Sequence, residues 1–310
     1  MQESDQQKPL IEVDHLCKQY GDFNAVNDLS FRVFSGDVFA FLGPNGAGKS
    51  TTLRMLTSLV RPTSGHVFYF GLNLNEHRTA ILKKTGSIVE KPDFYRFLSA
   101  EKNLEIFAKL SGRTISRPDI YQTLEWVGLN GREKDKVKTY SHGMKQRLGI
   151  AVALIHDPEI ILLDEPVNGM DPEGIIDIRN MIRFLNTEKK KTILLSSHLL
   201  SEVEQIASRM IIIDRGKLVV EGEVSKLLNS DELIVSVRTT NPQQVKNEIN
   251  GTKWMQKLSS AGGMNAVFNL RETEIPELNR FLCDHSVDVL SIESKRKLED
   301  YYLKLISGKN

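Results

Sequence analysis

Cysteine is scarce in this chain of 310 residues, which contains only Cys17 and Cys283. The two lie far apart in the sequence and lack the close spacing of metal ligands, which excludes a cysteine-based metal site. Two ordinary thiols are typical of a protein in a reducing compartment. We therefore expect a cytoplasmic location.

Long apolar runs are also absent. No stretch approaches the roughly 18–20 apolar residues that a helix needs to span a bilayer. The polar residues 1–9 provide no apolar core for export. We therefore expect any work at a membrane to be done through a partner.

Neither sign of charge is in excess, because 41 Lys and Arg residues stand against 40 Asp and Glu, a formal net charge of +1. This balance gives no overall basic field to hold nucleic acid or an anionic membrane surface. Nucleic acid is therefore not an expected partner. The length favours two domains, at roughly 100–200 residues per domain.

What is present is organised around residues 43–51, which match the loop that cradles phosphates in nucleotide-binding proteins. The apolar run Val38–Leu42 before it predicts a strand buried on both faces, and apolar residues at helical spacing follow as far as Val60. In such a loop, backbone N–H groups at a helix N-terminus face the phosphate oxygens. Lys49 reaches the β- and γ-phosphates and Ser50 ligates Mg²⁺. The predicted contact residues are Gly43, Pro44, Asn45, Gly46, Ala47, Gly48, Lys49, Ser50 and Thr51.

Two segments before the loop, residues 11–13 and 29–33, alternate apolar and polar side chains, with a turn at residues 20–22 between them. The pattern predicts half-exposed strands of an antiparallel sheet. Tyr20 is either a core aromatic residue at a turn or a ring that stacks on the nucleotide base. The phosphate loop downstream favours stacking.

Helical periodicity replaces strand signals at about residues 92–140, which we interpret as a helical insert. The insert closes where Ser141 can cap a helix with the apolar stripe Leu148, Val152 and Ile155. Taken alone, this is either an ordinary capped core helix or an anion site, because a helix N-terminus carries partial positive charge.

An apolar strand then ends in Asp164 and Glu165, and carboxylates at the C-terminal end of a parallel strand lie at the ligand crevice. Asp164 would hold Mg²⁺ through water, while Glu165 would orient and deprotonate the attacking water. A second apolar strand, residues 191–197, ends in His198. A lone histidine is usually structural, but the acidic strand before it favours contact with the γ-phosphate or the attacking water.

A terminal β-hairpin is predicted at residues 210–220, so the nucleotide domain is expected to span residues 1–228. Beyond it we predict strands at 231–240, 265–270 and 287–292, and helices after Asn241, at 275–283 and from about Lys297. The sequence therefore predicts a small accessory α+β domain at 229–310, whose role it does not reveal.

The order of these motifs resembles that of the ATP-binding cassette (ABC) transporter ATPases over about residues 10–228. Residues 43–51 match the Walker A loop, 160–165 the Walker B strand and 168–171 the D-loop. Ser141 and Gly143 belong to the segment that matches the signature, His198 matches the switch histidine and Tyr20 the base-stacking aromatic residue. The resemblance implies an α/β P-loop NTPase fold of the ABC type, with a mixed sheet core, an antiparallel β subdomain and a helical subdomain.

The resemblance also implies what such a protein does. It would be an ATPase that uses ATP and Mg²⁺ to power export through a separate transmembrane permease, bound peripherally at the inner face of the membrane. Two copies would form a head-to-tail dimer, with ATP sandwiched between the Walker loop of one subunit and the signature helix of the other.

Two positions depart from the family pattern. Ser141-His142-Gly143 stands where the family has Ser-Gly-Gly, which keeps the capping hydroxyl and the second glycine. Glu90 stands where the family has a glutamine that links the γ-phosphate to the membrane partner, and we expect its carboxylate to face Mg²⁺ and the nucleotide. With residues 94–104 downstream, this resembles the lantibiotic and bacitracin self-protection exporters. An export ATPase for an unrelated substrate is the alternative.

A second class of function is a soluble ABC ATPase that acts on ribosomes or DNA. That class usually places two cassettes in one chain or a long coiled coil inside the cassette. This sequence has neither feature, so the transporter interpretation is preferred.

Overall fold

The structure is a computed structural model that describes residues 8–90, 93–228, 233–296 and 302. The chain forms two compact units, Met1–Glu223 and Val224–Asn310. In the first unit the strands are β1 (Ile11–Tyr20), β2 (Phe23–Val33), β3 (Val38–Leu42), β4 (Ser64–Tyr69), β5 (Leu72–Asn73), β6 (Thr85–Ile88), β7 (Ile160–Leu163), β8 (Thr192–Ser197), β9 (Arg209–Asp214) and β10 (Lys217–Glu223). Its helices are α1 (Lys49–Leu56), α2 (Arg78–Leu82), α3 (Ala100–Leu110), α4 (Arg117–Trp126), α5 (His142–Leu154), α6 (Pro172–Thr187) and α7 (Leu200–Ile206).

A six-stranded sheet in the order β10-β9-β3-β8-β7-β6 forms the centre of this unit. The strands from β9 to β6 run parallel, and β10 pairs antiparallel with β9 at one edge. Strands β3, β7 and β8 are buried along their whole length, as apolar strands covered on both faces should be. Because neighbouring parallel strands end at the same edge, the segments that follow these three lie at one crevice.

A separate antiparallel sheet has the order β2-β1-β4-β5, which confirms the sheet predicted before the phosphate loop. The β1–β2 turn makes Tyr20 and Phe23 cross-strand partners. Aromatic rings join this sheet to the central one. The ring centroid of Phe31 on β2 lies 5.6 Å from that of Phe39 and 5.0 Å from that of Phe41, both on β3.

Helix α1 is shorter than predicted, since it ends at Leu56 and not at Val60. Ser58 has a φ of 56°, a left-handed value that cannot continue a right-handed helix. The N–H groups of Leu59 and Val60 both donate to the carbonyl of Arg54. Val60 still packs against the core as a partly buried residue.

Between β6 and β7 the described chain is helical, in the region where the sequence predicts a helical insert. Ser99 caps α3 by accepting a hydrogen bond from Lys102 N. Ser116 and Asp119 form a reciprocal capping box at the start of α4. Lys91 and Pro92, at the predicted start of the insert, lie outside the described residues.

The second unit combines an antiparallel sheet in the order β12-β13-β11-β14 with helices and has a core of its own around Trp254 and Phe268. Strand β12 is not predicted from the sequence. The predicted last helix from Lys297 lies outside the described residues except for Tyr302, and so do residues 231–232. The elements are β11 (Leu233–Thr239), β12 (Leu258–Gly262), β13 (Asn265–Leu270), β14 (Val289–Arg296), α8 (Val224–Leu228), α9 (Pro242–Glu248) and α10 (Ile275–Asp284). Within the described ranges of both units, no helix combines the length and apolar character needed to cross a membrane.

Candidate active site

The phosphate loop, residues 43–51, joins the end of β3 to the start of α1. Gly46 and Gly48 have φ values of 82° and 105°, in the left-handed region that favours glycine. A Cβ atom at Gly48 would lie 2.4 Å from the carbonyl oxygen of Ala25, which is backbone and cannot move aside cheaply. The glycines of the motif are therefore required by the path of the chain into α1.

A cavity of about 270 Å³ lies against this loop. It is lined by residues 45–51 together with Phe23, Ala25, Glu165 and Asn168. Because the first residues of α1 belong to the lining, the helix supplies backbone N–H groups and partial positive charge to the cavity. The cavity is therefore suited to bind phosphate groups.

Lys49 is the first residue of α1, and only 6% of its side chain is exposed. Its Nζ donates to the carbonyl oxygens of Gly43 at 2.7 Å and Pro44 at 3.2 Å. Nζ also lies 3.3 Å from Oε1 of Glu165. The ammonium is thus fixed at the wall of the cavity by the loop itself and by one carboxylate.

A single hydroxyl group binds both acidic residues that follow β7, one through its carboxylate and the other through its backbone N–H. The hydroxyl of Ser196 donates to Oδ1 of Asp164 at 2.6 Å and accepts from the backbone N–H of Glu165 at 2.8 Å. Ser196 is fully buried on the neighbouring strand β8. Sequence reasoning missed this residue, although a serine at the end of an apolar strand beside the acidic pair is a usable signal.

His198 follows β8 and contacts Glu165. The distance from its Nδ1 to Oε2 of Glu165 is 2.7 Å. A carboxylate only accepts, so Nδ1 carries the hydrogen. In the neutral ring Nε2 is then an acceptor, and it can donate to a phosphate oxygen only when the ring is protonated. The geometry makes His198 an orienting partner of Glu165.

The oxygen donors at this crevice fit one kind of metal site. Mg²⁺ prefers oxygen ligands and usually takes one or two carboxylates from the protein together with phosphate and water. The Ser50 hydroxyl and the Asp164 carboxylate are donors of this type. Among the described residues, no group of three or more His, Cys, Asp or Glu could hold a metal ion. The oxygens of Ser50 and Asp164 are donors of the kind that a metal shared with nucleotide phosphates takes from a protein.

Glu90 follows β6, with 60% of its side chain exposed. Its Oε1 accepts a hydrogen bond from Nη2 of Arg54 at 2.5 Å, and the cavity lining does not include Glu90. Its expected contact with Mg²⁺ or nucleotide stays a prediction. Arg54 was missed by sequence reasoning because a side-chain contact between distant positions leaves no local signal.

Tyr20 lies at the β1–β2 turn, nearly half exposed, with Nζ of Lys18 4.8 Å from its ring centroid. Its cross-strand partner Phe23 is among the residues that line the cavity, whereas Tyr20 is not. Base stacking by Tyr20 stays a prediction. Phe23 is a missed candidate, and its signal was an aromatic residue directly after a turn.

The signature segment lies at a different cavity, of about 480 Å³, between the start of α5 and the start of α6. Ser141 caps α5 by accepting from Met144 N at 3.2 Å, and it lines this cavity together with His142 and Gly143. Of the predicted stripe, Leu148 and Ile155 are buried and Val152 is half-buried.

Hydrogen bonds of Tyr140 and His142 hold the signature segment in place. Burial, with Asp135 and Glu133 nearby, raises the pKa of Tyr140 to about 12, so its hydroxyl stays protonated and donates to the carbonyl of Arg132 at 2.7 Å. Nε2 of His142 lies 3.4 Å from the carbonyl oxygen of Asn168, which only accepts, so Nε2 donates. His142 therefore joins the signature segment to residues 168–171 of the same chain.

The structure thus brings Lys49, Glu165 and His198 into direct contact and holds Asp164 beside them through Ser196. Ser141 and Gly143 lie at the other cavity, which shares no lining residue with the first. One chain therefore presents a phosphate site and a separate capped helix N-terminus.

A family model described as "ABC transporter" matches residues 26–168. The chain is similar to the bacitracin transport ATP-binding protein BcrA of Bacillus licheniformis, with 41% identity over 96% of this chain and 98% of that protein. It is also similar to the lantibiotic transport ATP-binding protein SrtF of Streptococcus pyogenes, with 42% identity over 72% of this chain and 95% of that protein.

A solved dimeric bacterial ABC transporter cassette is similar in structure. The TM-score is 0.63 at 26% identity, and the similarity covers 69% of this chain and 98% of the cassette. The predicted α/β P-loop fold of the ABC type is confirmed by this likeness.

Proposed function

The chain belongs to the family of ABC transporter ATP-binding proteins, and from this we propose that it energises export of membrane-active peptide antibiotics. It is an ATPase subunit that works with a second ATPase copy and a separate permease. The observation that carries the substrate proposal is the extent of the likeness. The bacitracin transport protein matches over 96% of this chain and hence over most of both units, whereas the lantibiotic transport protein matches over 72%.

The chain binds ATP, and we propose that Mg²⁺ accompanies it. Lys49 would contact the β- and γ-phosphates, with Ser50 and Asp164 as the residues that hold the metal. The metal would offset phosphate charge during hydrolysis. Glu165 would accept the proton of the attacking water, because its carboxylate lies at the cavity and is oriented by His198.

We further propose that the chain lies at the inner face of the cell membrane, bound to its permease. ATP is available on that side, and an export permease has to be driven from there. Cell fractionation tests the proposal. Co-purification with a polytopic membrane protein supports it, whereas salt-sensitive binding to ribosomes or DNA would favour the alternative class.

Antibiotic survival tests the substrate class. Cells in which the gene is deleted should survive bacitracin or a lantibiotic less well than the parent strain. The wild-type gene should restore survival, and the Glu165→Gln variant, expressed to the same level, should not. If deletion leaves survival unchanged for bacitracin and for several lantibiotics, the substrate proposal is wrong, while the ATPase assignment stands.

Glu90 gives a narrower test of coupling. Glu90→Gln should keep ATP binding nearly intact and retain much of the hydrolysis, because the amide keeps a carbonyl oxygen. Glu90→Ala removes that oxygen and should lower protection of cells that express the native permease. Equal protection by both variants would contradict a role for the Glu90 oxygen.

A further inference from the structure

Helix α1 has a cationic side chain at each end. Each one contacts a carboxylate that follows a strand of the six-stranded sheet. Lys49, its first residue, lies 3.3 Å from Glu165 after β7. Arg54, in its last turn, donates from Nη2 to Oε1 of Glu90 after β6 at 2.5 Å. Neither residue of the second pair lines the phosphate cavity.

Backbone pairing between the ends of β6 and β7 places Glu90 close to Asp164. The N–H of Asp164 donates to the carbonyl of Ile88 at 2.9 Å, so Glu90 comes two residues after the point where β6 meets Asp164. Glu90 has a φ of 79°, and a left-handed backbone is strained for a residue with a Cβ atom. Such a conformation persists only where the surroundings hold it. The hydrogen bond from Arg54 is an interaction that can stabilise this backbone conformation of Glu90.

Backbone hydrogen bonds fix the position of Arg54. Its carbonyl accepts from the N–H groups of Leu59 at 2.8 Å and Val60 at 3.2 Å, which fixes the end of α1. Its side chain is 36% exposed, and within the described part of the chain its buried Nε has no hydrogen-bond partner. Burying an unpaired donor is costly. The guanidinium is paired with Glu90 through Nη2 even though its buried Nε is left without a partner among the described residues.

The negative charge near the crevice suggests what the contact between Arg54 and Glu90 does. Three carboxylates, those of Asp164, Glu165 and Glu90, follow the neighbouring strands β7 and β6, and Glu165 is the one that lines the cavity suited to bind phosphates. Each unpaired negative charge there opposes the binding of a triphosphate. Glu165 has Lys49 and His198 as partners, and Glu90 has Arg54.

We propose that Arg54 is a positioning residue that holds the Glu90 carboxylate and offsets its charge, so that ATP is not repelled before its metal arrives. The inference rests on the proposed function, because it places Glu90 near the nucleotide. Without Arg54 the Glu90 carboxylate turns freely and opposes the triphosphate. A bound divalent cation masks that repulsion.

A double-mutant cycle tests this coupling. A fluorescent ATP analogue is titrated into the full chain as wild type, Arg54→Gln, Glu90→Gln and the double variant, once with excess EDTA and once with Mg²⁺. In EDTA, Arg54→Gln should weaken binding about two- to fivefold, the size of an exposed ion pair. In the Glu90→Gln background the same substitution should cost little. With Mg²⁺ the loss of affinity caused by Arg54→Gln should shrink when Glu90 is intact and stay small in the Glu90→Gln background.

Two controls separate positioning from general charge and from folding. Arg61→Gln removes an exposed positive charge seven residues along the chain from Arg54 and should show no dependence on Glu90. Arg54→Lys keeps the charge and should bind as the wild type does in EDTA. Thermal unfolding confirms that each variant is folded.

An equal loss from Arg54→Gln in both Glu90 backgrounds, or no loss in either, would overturn the inference. These outcomes differ from failure of the proposed function. In that case the wild type itself would not bind the analogue, or deletion of the gene would not change antibiotic survival.

Discussion

The ammonium of Lys49 and the carboxylate of Glu165 form a largely buried ion pair, 3.3 Å apart and with 6% and 18% of their side chains exposed. The pair joins the first residue of α1 to the second residue after β7. We assign each partner a chemical role, Lys49 for phosphate and Glu165 for the attacking water. A phosphate bound to Lys49 would then compete with Glu165 and release its carboxylate.

Glu165→Gln should separate binding from hydrolysis. The amide keeps the shape of the side chain but cannot take a proton, so turnover should fall by the roughly 10²–10⁴-fold typical of losing a general base. ATP affinity should stay the same or increase, since Lys49 no longer has a carboxylate partner. Equilibrium binding and single-turnover hydrolysis on the same sample measure the two effects.

Lys49→Ala should act at the binding step. It removes a charge-assisted phosphate contact and leaves the Glu165 carboxylate without its lysine partner beside the cavity. Affinity for ATP should therefore fall well below that of Glu165→Gln. Lys83→Ala, at an exposed lysine, is the control for lost charge. Equal affinity losses in the Lys49 and Glu165 variants would contradict the assignment of separate steps.

The stability of the cassette should depend on His156 at mildly acidic pH. Burial lowers the pKa of His156, although its hydrogen bond with the carbonyl of Thr85 at 3.2 Å opposes the shift. The unfolded chain then binds this proton more readily than the folded one, so stability rises with pH. The contribution is complete above the ordinary histidine pKa of about 6.5 and is lost as the pH falls from there through the lower pKa of the folded state.

Urea unfolding at pH 7.5 and pH 5.5 measures this effect. His156→Gln should lose less stability between the two pH values than the wild type does. His77→Gln, at an exposed histidine, should lose as much as the wild type. If the His156 variant is as sensitive to acid as the wild type, another group carries the dependence.

The elements that could be predicted from sequence are those that a local pattern determines. Val38–Leu42 is a short apolar run and forms a buried strand as expected. Asp171-Pro172 is a capping residue followed by proline, a pattern typical of a helix start, and α6 begins there. The residues with predicted catalytic or binding roles next to these elements belong to sequence motifs. The central strands and the phosphate loop were therefore predictable.

The rest depends on contacts between distant residues or on weak local signals. The stop of α1 rests on the backbone of Ser58, which has no sequence signature there. Strand β12 contains Ser259, Ser260 and Gly262, which are poor strand formers, and it forms because β13 pairs with it. The Arg54–Glu90 contact joins two elements that only the fold brings together.

The aromatic end of the β1–β2 hairpin should contribute to nucleotide affinity. Base–aromatic stacking is worth about 1–3 kcal/mol and tolerates any base. Tyr20→Ala should therefore weaken binding of ATP and GTP alike by about five- to 150-fold, while Tyr20→Phe should not. Phe23→Ala is the essential comparison, because Phe23 lines the cavity. A costly Phe23→Ala beside a harmless Tyr20→Ala would transfer the stacking role to Phe23.

The phosphate loop and the signature segment lie at separate cavities of one chain, and we expect a second copy to bring the two together at one nucleotide. Ser141 and the N-terminus of α5 line one cavity, and Lys49 lines another that shares none of the lining residues. The solved relative is a dimer. We therefore expect ATPase activity to rise more steeply than linearly with protein concentration, because a second copy has to supply the capped helix.

Mixing two inactive variants tests this composite site. Lys49→Ala disables the phosphate loop, and Ser141→Arg fills the capped helix start with a large side chain. A mixed dimer contains one site in which the intact Lys49 of one chain faces the intact Ser141 of the other. Activity should therefore reappear at roughly a quarter of the wild-type value, since half of randomly formed dimers are mixed and each has one intact site of two. Lys49→Ala mixed with Glu165→Gln is the matched control, because both changes lie on the loop side and no intact site forms. If the first mixture stays as inactive as this control, either the site is not shared between chains or both sites must work together.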